Sequence, residues 1–273
     1  MVTLGDPASG LVHGGQLAAR EAVREVVSSG FRPLDALLPA GGVRRGSLIE
    51  WLAGEVAGGG AASLACAVAC QLGRQADRPG TIVVVDRTGW FHPPAVLPWL
   101  GGAPGATRLV VARPAHDDDE IWAIDQALRC AGVAAVLAWP RAAVGPGGCL
   151  AAARHRCTQP WTIAMRRWQL AARSSGAVGL FVRPVTARAE PSWAEARIAV
   201  AALPGGTLLE RRLRLTPVGG VWGAGACGDE RATETVLDLT RGVERTGYQG
   251  GRQGRAGGVT RAGESRGAAC RAS

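Results

Sequence analysis

With 273 residues, 47% of them hydrophobic, the chain is long enough for one well-packed domain and a tail. Its apolar runs reach only about ten residues, half of the ~20 that a membrane-spanning helix requires, which argues against an integral membrane protein of that type. The formal net charge is +9, from 31 basic and 22 acidic residues. All of the basic residues are arginine, because the sequence contains no lysine.

The N-terminal segment is predicted to end in a short amphipathic helix. Residues 1–15 show no periodic pattern, and no basic stretch precedes an apolar one. We therefore expect no secretory signal peptide, and the expected location is the cytoplasm. From Gln16 to Ser29 the apolar residues fall on one helical face, at Ala19, Val23, Val26 and Val27. We assign residues 1–30 to an N-terminal tail and amphipathic helix.

Apolar strands alternate with helical patterns through the rest of the core. Phe31–Gly46 is interrupted by Pro and Gly and is predicted to be a structured loop. The strands are predicted at Ser47–Leu52, Thr81–Asp86, Leu109–Arg113, Val133–Trp139, Gly179–Arg183, Arg197–Leu203 and Arg211–Val218. The helices predicted between them cover Ala62–Gln75, Ala95–Leu100, Asp118–Cys130 and Ile163–Ser174.

This alternation predicts an α/β fold with a mostly parallel central sheet flanked by helices. Strands that are continuously rich in Val, Leu and Ile are typically buried on both faces, which requires helices on each side. The last two strands are separated by Pro204–Thr207 and predict an antiparallel extension. From Thr240 onward the sequence is rich in Gly and Arg with few apolar residues, so residues 240–273 are predicted to form a disordered tail.

The turn after the first predicted strand has the glycines of a phosphate-binding loop without its reactive side chains. The pattern is G-x-x-x-x-G-K-[ST], and Gly54 and Gly59 have its spacing. Gly60 stands at the lysine position and Ala61 at the hydroxyl position. Two interpretations remain: a tight strand-to-helix connection, or a site whose backbone N–H groups still hold an anion. Such a site would be lined by Gly54, Gly58, Gly59, Gly60 and Ala61.

The segment around this turn resembles the start of a RecA-like recombinase core. The matching positions are Phe31, Leu34, Asp35, Leu37, Leu38, Gly41, Gly42, Val43, Arg45, Gly46, Leu48 and Glu50. The segments IWAIDQALRC, RRWQLAARSSGAVGLFVRP and EPSWAEARIAV resemble more closely the degenerate bacterial branch of that family called ImuA or SulA-like. The resemblance runs from Phe31 to Leu215 and implies a RecA-like core over residues 31–239.

In this resemblance, the positions that a RecA-type ATPase needs hold unsuitable residues. The lysine falls on Gly60, the magnesium-binding hydroxyl on Ala61, and the catalytic glutamate on Thr88, which is no base near neutral pH. The acidic residue of the Walker B strand falls on Trp139, and the phosphate-sensing glutamine falls near Pro184. Because phosphoryl transfer needs neutralised charge and a positioned water, the resemblance implies no enzyme, no catalytic residue and no cofactor, with residual ATP binding as the alternative.

The same resemblance implies a non-catalytic adaptor in damage-induced (SOS) translesion DNA synthesis, within a mutasome. Its expected partners are RecA on DNA, an inactive Y-family polymerase relative and an error-prone polymerase subunit. The candidate partner-binding residues, on the predicted helix and in the basic tail, are Val23, Val26, Val27, Arg252, Arg255 and Arg261. The tail arginines would contact DNA or an acidic surface, or the tail is solvated without a specific role. A nucleotide-gated weak ATPase and a SulA-like inhibitor of cell division remain alternative functions.

Two further segments have competing interpretations. His116–Glu120 is rich in acids, and we interpret it as the start of a helix, where acids complement the helix dipole, in preference to a metal or acid–base site. Ala142–Trp161 corresponds to a DNA-contact region of RecA and is either a surface loop or a DNA contact. The seven cysteines are scattered without paired spacing, which predicts reduced thiols and no metal site.

Overall fold

The computed structural model describes residues 24–54, 60–75, 80–101, 107–140, 158–220 and 231–245, with the backbone alone at 158–161. Within these ranges a nine-stranded sheet organises the chain, and a separate antiparallel pair joins β1 (Val26–Val27) to β2 (Val43–Arg44). The sheet strands are β3 (Leu48–Ala53), β4 (Thr81–Val85), β5 (Arg108–Ala112), β6 (Val133–Ala138), β7 (Val178–Pro184), β8 (Ala196–Ala202), β9 (Glu210–Gly219), β10 (Thr233–Asp238) and β11 (Val243–Glu244).

Six of these strands run parallel, in the order β8-β3-β7-β6-β4-β5. Strands β9, β10 and β11 extend the sheet in antiparallel fashion beyond β8. The central strand β3 pairs through Trp51 with Val182 of β7 on one side and with Ile198 of β8 on the other. The predicted α/β class is therefore confirmed, with its mostly parallel sheet and its antiparallel extension.

Four α-helices flank the sheet in the described chain: α1 (Arg32–Leu37), α2 (Ala61–Arg74), α3 (Asp117–Arg129) and α4 (Thr158–Ser175). Because side chains alternate between the faces of a strand, Ile49 and Trp51 of β3 join the core with α2, whereas Leu48 joins the core with α3 and α4. Each fully buried Leu or Ile contributes about 1.5–3 kcal/mol of transfer free energy. Among the described helices, none combines the length and apolar character needed to cross a bilayer.

The prediction of a helix at Gln16–Ser29 is wrong at the C-terminal end of that segment. Val26 and Val27 form strand β1, which pairs antiparallel with β2. β-Branched residues fit extended backbone, and the pairing is close, since a Cβ at Gly42 would lie 2.8 Å from the carbonyl oxygen of Val27. The helical periodicity of the apolar residues was therefore outweighed by strand pairing. Val23 lies outside the described residues.

The structured loop predicted at Phe31–Gly46 contains helix α1 as well as β2. Asp35 of α1 holds the backbone that precedes this helix. Its carboxylate accepts hydrogen bonds from the Ser28 hydroxyl at 2.6 Å and from the Ser29 N–H at 2.8 Å. The helix has only six residues, which is too short for a helical period to stand out in the sequence.

The prediction of a disordered tail from residue 240 is wrong at its start, because Val243–Glu244 form strand β11 of the sheet. The indole N–H of Trp99 donates to the carbonyl oxygen of Leu239 at 3.0 Å. Gly242, with φ of 64°, lies so close to that indole that a Cβ would be 2.5 Å from its Cδ2. A strand of two residues gives no periodic signal, so this contact could not be predicted. The tail arginines, Arg252, Arg255 and Arg261, lie outside the described residues.

Candidate functional site

The glycine turn lies at the carboxyl edge of the parallel sheet, where ligand sites of such folds are found. Gly54 follows β3 and Gly60 precedes α2, whereas residues 55–59, which include Gly58 and Gly59, lie outside the described residues. The φ angle of Gly60 is 84°, in the left-handed region that non-glycine residues adopt only at a cost. The backbone conformation of the turn therefore requires glycine at the position of the expected lysine.

Leu213 adds a second reason for glycine at this position. A Cβ on Gly60 would lie 2.3 Å from Cδ2 of Leu213 and 3.3 Å from Cδ of Arg211. Leu213 belongs to β9 in the antiparallel extension, and its side chain is fully buried. A larger residue at position 60 would therefore overlap a core side chain, and the space beside the turn is already occupied.

Ala61, at the position of the magnesium-binding hydroxyl, is a core residue. It is buried and packs in the same hydrophobic cluster as Leu213. The first turn of α2 is closed by the Leu64 N–H, which donates to the carbonyl oxygen of Gly60 at 2.9 Å. In the described part of this turn, the two positions that would carry reactive groups thus contact apolar side chains.

Asp86, which follows β4 at the same sheet edge, is buried and fixes the backbone beyond that strand. Its carboxylate accepts from the N–H groups of Trp90 at 3.2 Å and Phe91 at 2.8 Å. The hydroxyl of Thr88, at the position of the expected catalytic glutamate, also donates to it, at 3.0 Å. Three donors on one carboxylate make Asp86 a structural acceptor that shapes the turn.

Trp139 stands at the end of β6, where a RecA-type ATPase would carry an acid. Its ring is partly buried and lies against Phe91, with ring centroids 6.2 Å apart and planes inclined by 40°. Such a tilted pair is a favourable aromatic arrangement. Pro184, at the position of the phosphate-sensing glutamine, ends β7 and is exposed. Neither side chain offers a carboxylate or an amide to a phosphate.

A buried charge network joins the three central strands β3, β7 and β8, on the face of β3 that points away from α2. This network was not predicted from the sequence. Glu50 of β3 is completely buried. Its carboxylate accepts from Nη1 of Arg183 on β7 at 3.1 Å and from Nε of Arg197 on β8 at 2.6 Å. Arg183 also donates to Glu190. Two carboxylates thus balance two guanidinium groups, as buried charges require.

Arg197 extends this network to the connection between β7 and β8. It donates to the carbonyl oxygens of Ala187 at 2.6 Å, Arg188 at 3.2 Å and Glu190 at 3.2 Å. The segment Val185–Ala189 forms a short 3₁₀ turn under this restraint. A signal for the network was present in the sequence, because a glutamate inside the apolar strand SLIEWL must find a positively charged partner.

The acidic segment His116–Glu120 begins a helix, as predicted. Helix α3 starts at Asp117, so the four acids occupy its first turn and complement the helix dipole. Nη2 of Arg87 lies 2.7 Å from Oδ1 of Asp117, and Nε of Arg87 lies 3.5 Å from Oε2 of Glu120. Within the described ranges, the geometry places no group of three or more His, Cys, Asp or Glu side chains where they could share a metal ion.

Two cysteines of α2 have altered acidity. Burial raises the pKa of the Cys66 thiol well above its usual range, with a further contribution from Cys70. Burial likewise raises the pKa of Cys70 to about 11, partly offset by the positive charge of Arg74. Both thiols are therefore neutral at physiological pH, which is the behaviour of small core residues and not of nucleophiles.

The predicted partner-binding valines differ in exposure. Val26 is 43% exposed and Val27 is buried. Only Val26 of this pair is therefore accessible to a partner. Val23 and the three tail arginines lie outside the described residues, so the sites proposed on them stay predictions.

Comparison of the sequence with protein-family models gives no match, and comparison with curated proteins gives none either. The interpretation of the site therefore depends on the residues and on their geometry.

Proposed function

We propose that the chain is a non-catalytic adaptor built on a RecA-like core. The observation that carries this proposal is the contact between Leu213 and Gly60, because a Cβ at the lysine position would lie 2.3 Å from Cδ2 of Leu213. A phosphate-loop lysine neutralises charge on the transferred phosphoryl group. With that space filled from β9 and with no lysine in the chain, charge neutralisation at this turn lacks its main contributor.

The surroundings of the turn support the same proposal. A general base must reach the attacking water with a free carboxylate or imidazole. At the two positions where the resemblance expects carboxylates, Thr88 donates its hydroxyl to Asp86 and Trp139 packs against Phe91. The strand-turn-helix framework is kept, while the side chains around it serve packing.

The edge strand β5 is our candidate docking surface for a protein partner. It is the last strand of the sheet in the described chain and pairs with β4 on one side only. Val110 at its centre is 48% exposed. An open strand edge presents backbone N–H and C=O groups to which an extended segment of a partner can add.

The partners that we propose are RecA on single-stranded DNA, an inactive Y-family polymerase relative and an error-prone polymerase subunit. In this role the protein acts in damage-induced translesion synthesis in the cytoplasm and needs no cofactor. The basic tail, with Arg252, Arg255 and Arg261, would add a salt-sensitive contact to DNA.

The proposal is tested by measuring partner binding with and without nucleotide. The purified chain is immobilised and exposed to the Y-family relative of the same genome with and without Mg²⁺-ATP, and separately to RecA filaments on single-stranded DNA. We expect binding that ATP does not change. Val110→Lys should weaken it about tenfold or more if β5 is the docking edge, and Leu170→Lys, an exposed position on α4, is the matched control.

Three results would contradict the proposal. Retention of neither partner would remove the adaptor function. Binding that requires ATP, together with saturable ATP binding, would indicate a nucleotide-gated switch. Binding to the division tubulin in place of the polymerase relatives would indicate an inhibitor of cell division.

A further inference from the structure

Helices α3 and α4 lie side by side, and their outward surface has no part in the function proposed above. The indole N–H of Trp168 donates to the carbonyl oxygen of Ile121 at 3.4 Å, and the hydroxyl of Ser175 donates to that of Leu128 at 2.5 Å. Both bonds join residues 47 positions apart, so the helices run parallel in a fixed register. We call the exposed side of this pair the outer face; it carries Asp118, Asp119, Trp122, Arg129, Arg167 and Leu170.

The centre of the outer face is apolar. Trp122 of α3 is 63% exposed, and Leu170 of α4 is 50% exposed. In the register of the two hydrogen bonds, Leu170 is one residue beyond the position opposite Trp122, which is a difference of about 1.5 Å along the helix axis. The two side chains therefore lie at nearly the same height on neighbouring helices, and both contact solvent in the single chain.

One end of the outer face is negative. Asp118 and Asp119 lie one helical turn before Trp122, in the first turn of α3, and both are exposed. Their neighbour Asp117 pairs with Arg87, whereas Asp118 and Asp119 form no ion pair within the described part of the chain. Two exposed carboxylates therefore lack a positive partner at this end.

The other end of the outer face is positive. Asp125, nearly one turn after Trp122, accepts from Nε of Arg129 at 2.8 Å and from Nη2 of Arg167 on α4 at 3.3 Å. Two guanidinium groups thus share one carboxylate, which leaves a surplus of one positive charge. The side chains of both arginines are 54% exposed, whereas that of Asp125 is buried, so the surplus faces solvent.

We propose that the outer face binds a second copy of this chain around a two-fold axis. In a two-fold dimer the same surface of both copies meets itself, so this surface must be complementary to itself. The outer face meets this requirement, because its apolar centre separates a negative end from a positive end. A partner of uniform charge would meet one end of like charge, which is unfavourable.

The charges also decide the direction of the axis. An axis along the helices would bring the negative end of one copy onto the negative end of the other. An axis across the helices makes α3 of one copy antiparallel to α3 of the other, so Asp118 and Asp119 of each copy face the arginine surplus of its partner. Trp122 and Leu170 then lie on the axis, and each packs against its own counterpart, which removes both apolar side chains from water.

The test is sedimentation equilibrium of the full-length protein over a wide range of concentration, at low and at moderate ionic strength. We expect a reversible dimer with a Kd of about 100 µM or lower, which weakens as salt screens the charged ends. Trp122→Ala should raise the Kd about tenfold or more, because it removes the central aromatic contact. Leu208→Ala is the matched control, since Leu208 is 97% exposed on the turn between β8 and β9 and should leave the Kd unchanged.

The orientation of the two copies is tested by reversing charges. Asp118→Arg together with Asp119→Arg makes both ends of the outer face positive, whereas Arg129→Glu makes both ends negative. Each variant alone should dimerise about tenfold or more weakly, because like charges would meet. A mixture of the two should dimerise again, with one copy of each kind per dimer, since opposite charges then meet at both ends.

Leu170→Lys keeps the test open if a charge reversal unfolds the protein, which circular dichroism and thermal unfolding would reveal. It changes an exposed side chain at the apolar centre and should weaken the dimer about tenfold or more. The proposal is independent of the adaptor function, because β5 does not belong to the outer face. Val110→Lys should therefore leave the dimer intact, whereas Leu170→Lys should weaken the dimer and still retain the protein partners.

Several results would overturn the proposal. A wild type that stays monomeric at every concentration would remove it, and loss of the Y-family relative from a monomeric Trp122→Ala variant would assign the outer face to that partner. Assemblies that keep growing beyond the dimer would indicate a heterologous contact. An unchanged Kd in both Trp122→Ala and Leu170→Lys would place the contact elsewhere. Folded charge-reversal variants that dimerise normally alone, or fail to dimerise when mixed, would exclude the two-fold axis across the helices.

Discussion

Gly60 is constrained by its backbone and by its neighbour at the same time. Its φ of 84° alone makes any side chain unfavourable. The contact with Leu213 makes a side chain unfavourable even if the turn were to relax. The sequence could predict that the reactive side chains were missing from this turn. It could not predict that a leucine 153 positions later fills the space, because that contact depends on the packing of β9.

Replacing Gly60 by Ala should therefore lower the free energy of unfolding by about 2 kcal/mol or more, through backbone strain and overpacking. Gly54→Ala is the matched control, since a Cβ there has no heavy atom of the described residues within 4 Å and should change stability by less than about 1 kcal/mol. Urea unfolding of the two variants measures the difference. Equal stability of the two variants would mean that the turn adapts to a side chain at position 60.

At the scale of elements, most of the helices and long strands were predictable from periodicity, and the contacts between distant elements were not. The helix predicted at Ala95–Leu100 is wrong, because this segment forms two short 3₁₀ turns, and strand β10 was not predicted. Strand β7 was predicted within one residue at either end because its apolar run is continuous. Strands β1 and β11 have two residues each, which is too short for any period. The Glu50 network joins β3, β7 and β8, and only the assembled sheet brings its members together.

Neutralising Glu50 should destabilise the protein strongly. Glu50→Gln keeps the shape but leaves Arg183 and Arg197 with less compensating charge in a buried site, for an expected loss of about 3–5 kcal/mol. The control is Glu234→Gln on β10, where the same change affects an exposed ion pair with Arg212 and should cost less than about 1 kcal/mol. Thermal unfolding of both variants tests this; a small effect of Glu50→Gln would show that the network adds little stability.

At the scale of the whole molecule, the parallel strands and the antiparallel extension form one sheet, and α2 packs against side chains from both parts. Leu64 and Val68 of this helix share a hydrophobic cluster with Leu213 and Leu215 of β9. The stability of the two parts is therefore coupled through the core around α2. Cys66 and Cys70 lie in the same core, so the ionisation of their thiols depends on whether this core is folded.

Alkaline pH should weaken the folded state through these two thiols. Unfolded cysteines ionise near pH 9.0, whereas the folded pKa of Cys70 is about 11 and that of Cys66 is higher still. Between these values the unfolded state binds fewer protons, so the free energy of unfolding falls as pH rises from 9.0 to about 11. The loss from Cys70 alone is about 2–3 kcal/mol.

The composition makes this effect measurable, because the chain has no lysine and one tyrosine. The other side chains that titrate in that window are mainly this tyrosine and the five remaining cysteines, all of which the variant below retains. Denaturant unfolding at a series of pH values should give a decline that is smaller in a Cys66→Ala, Cys70→Ala variant. An identical decline in both proteins would show that these thiols ionise as readily when folded as when unfolded.

The contact between Leu213 and Gly60 also bears on reversibility. A single substitution that placed lysine at position 60 would collide with the leucine and strain the turn, so the protein would lose stability before it gained any affinity for phosphate. Trimming Leu213 first would open a cavity in a filled core, at a cost of about 2–5 kcal/mol. A lysine side chain at position 60 would therefore need both changes, and each change costs stability when it is made alone. Because the positive φ of Gly60 would still disfavour the side chain after Leu213 is trimmed, the packing of this turn resists stepwise change.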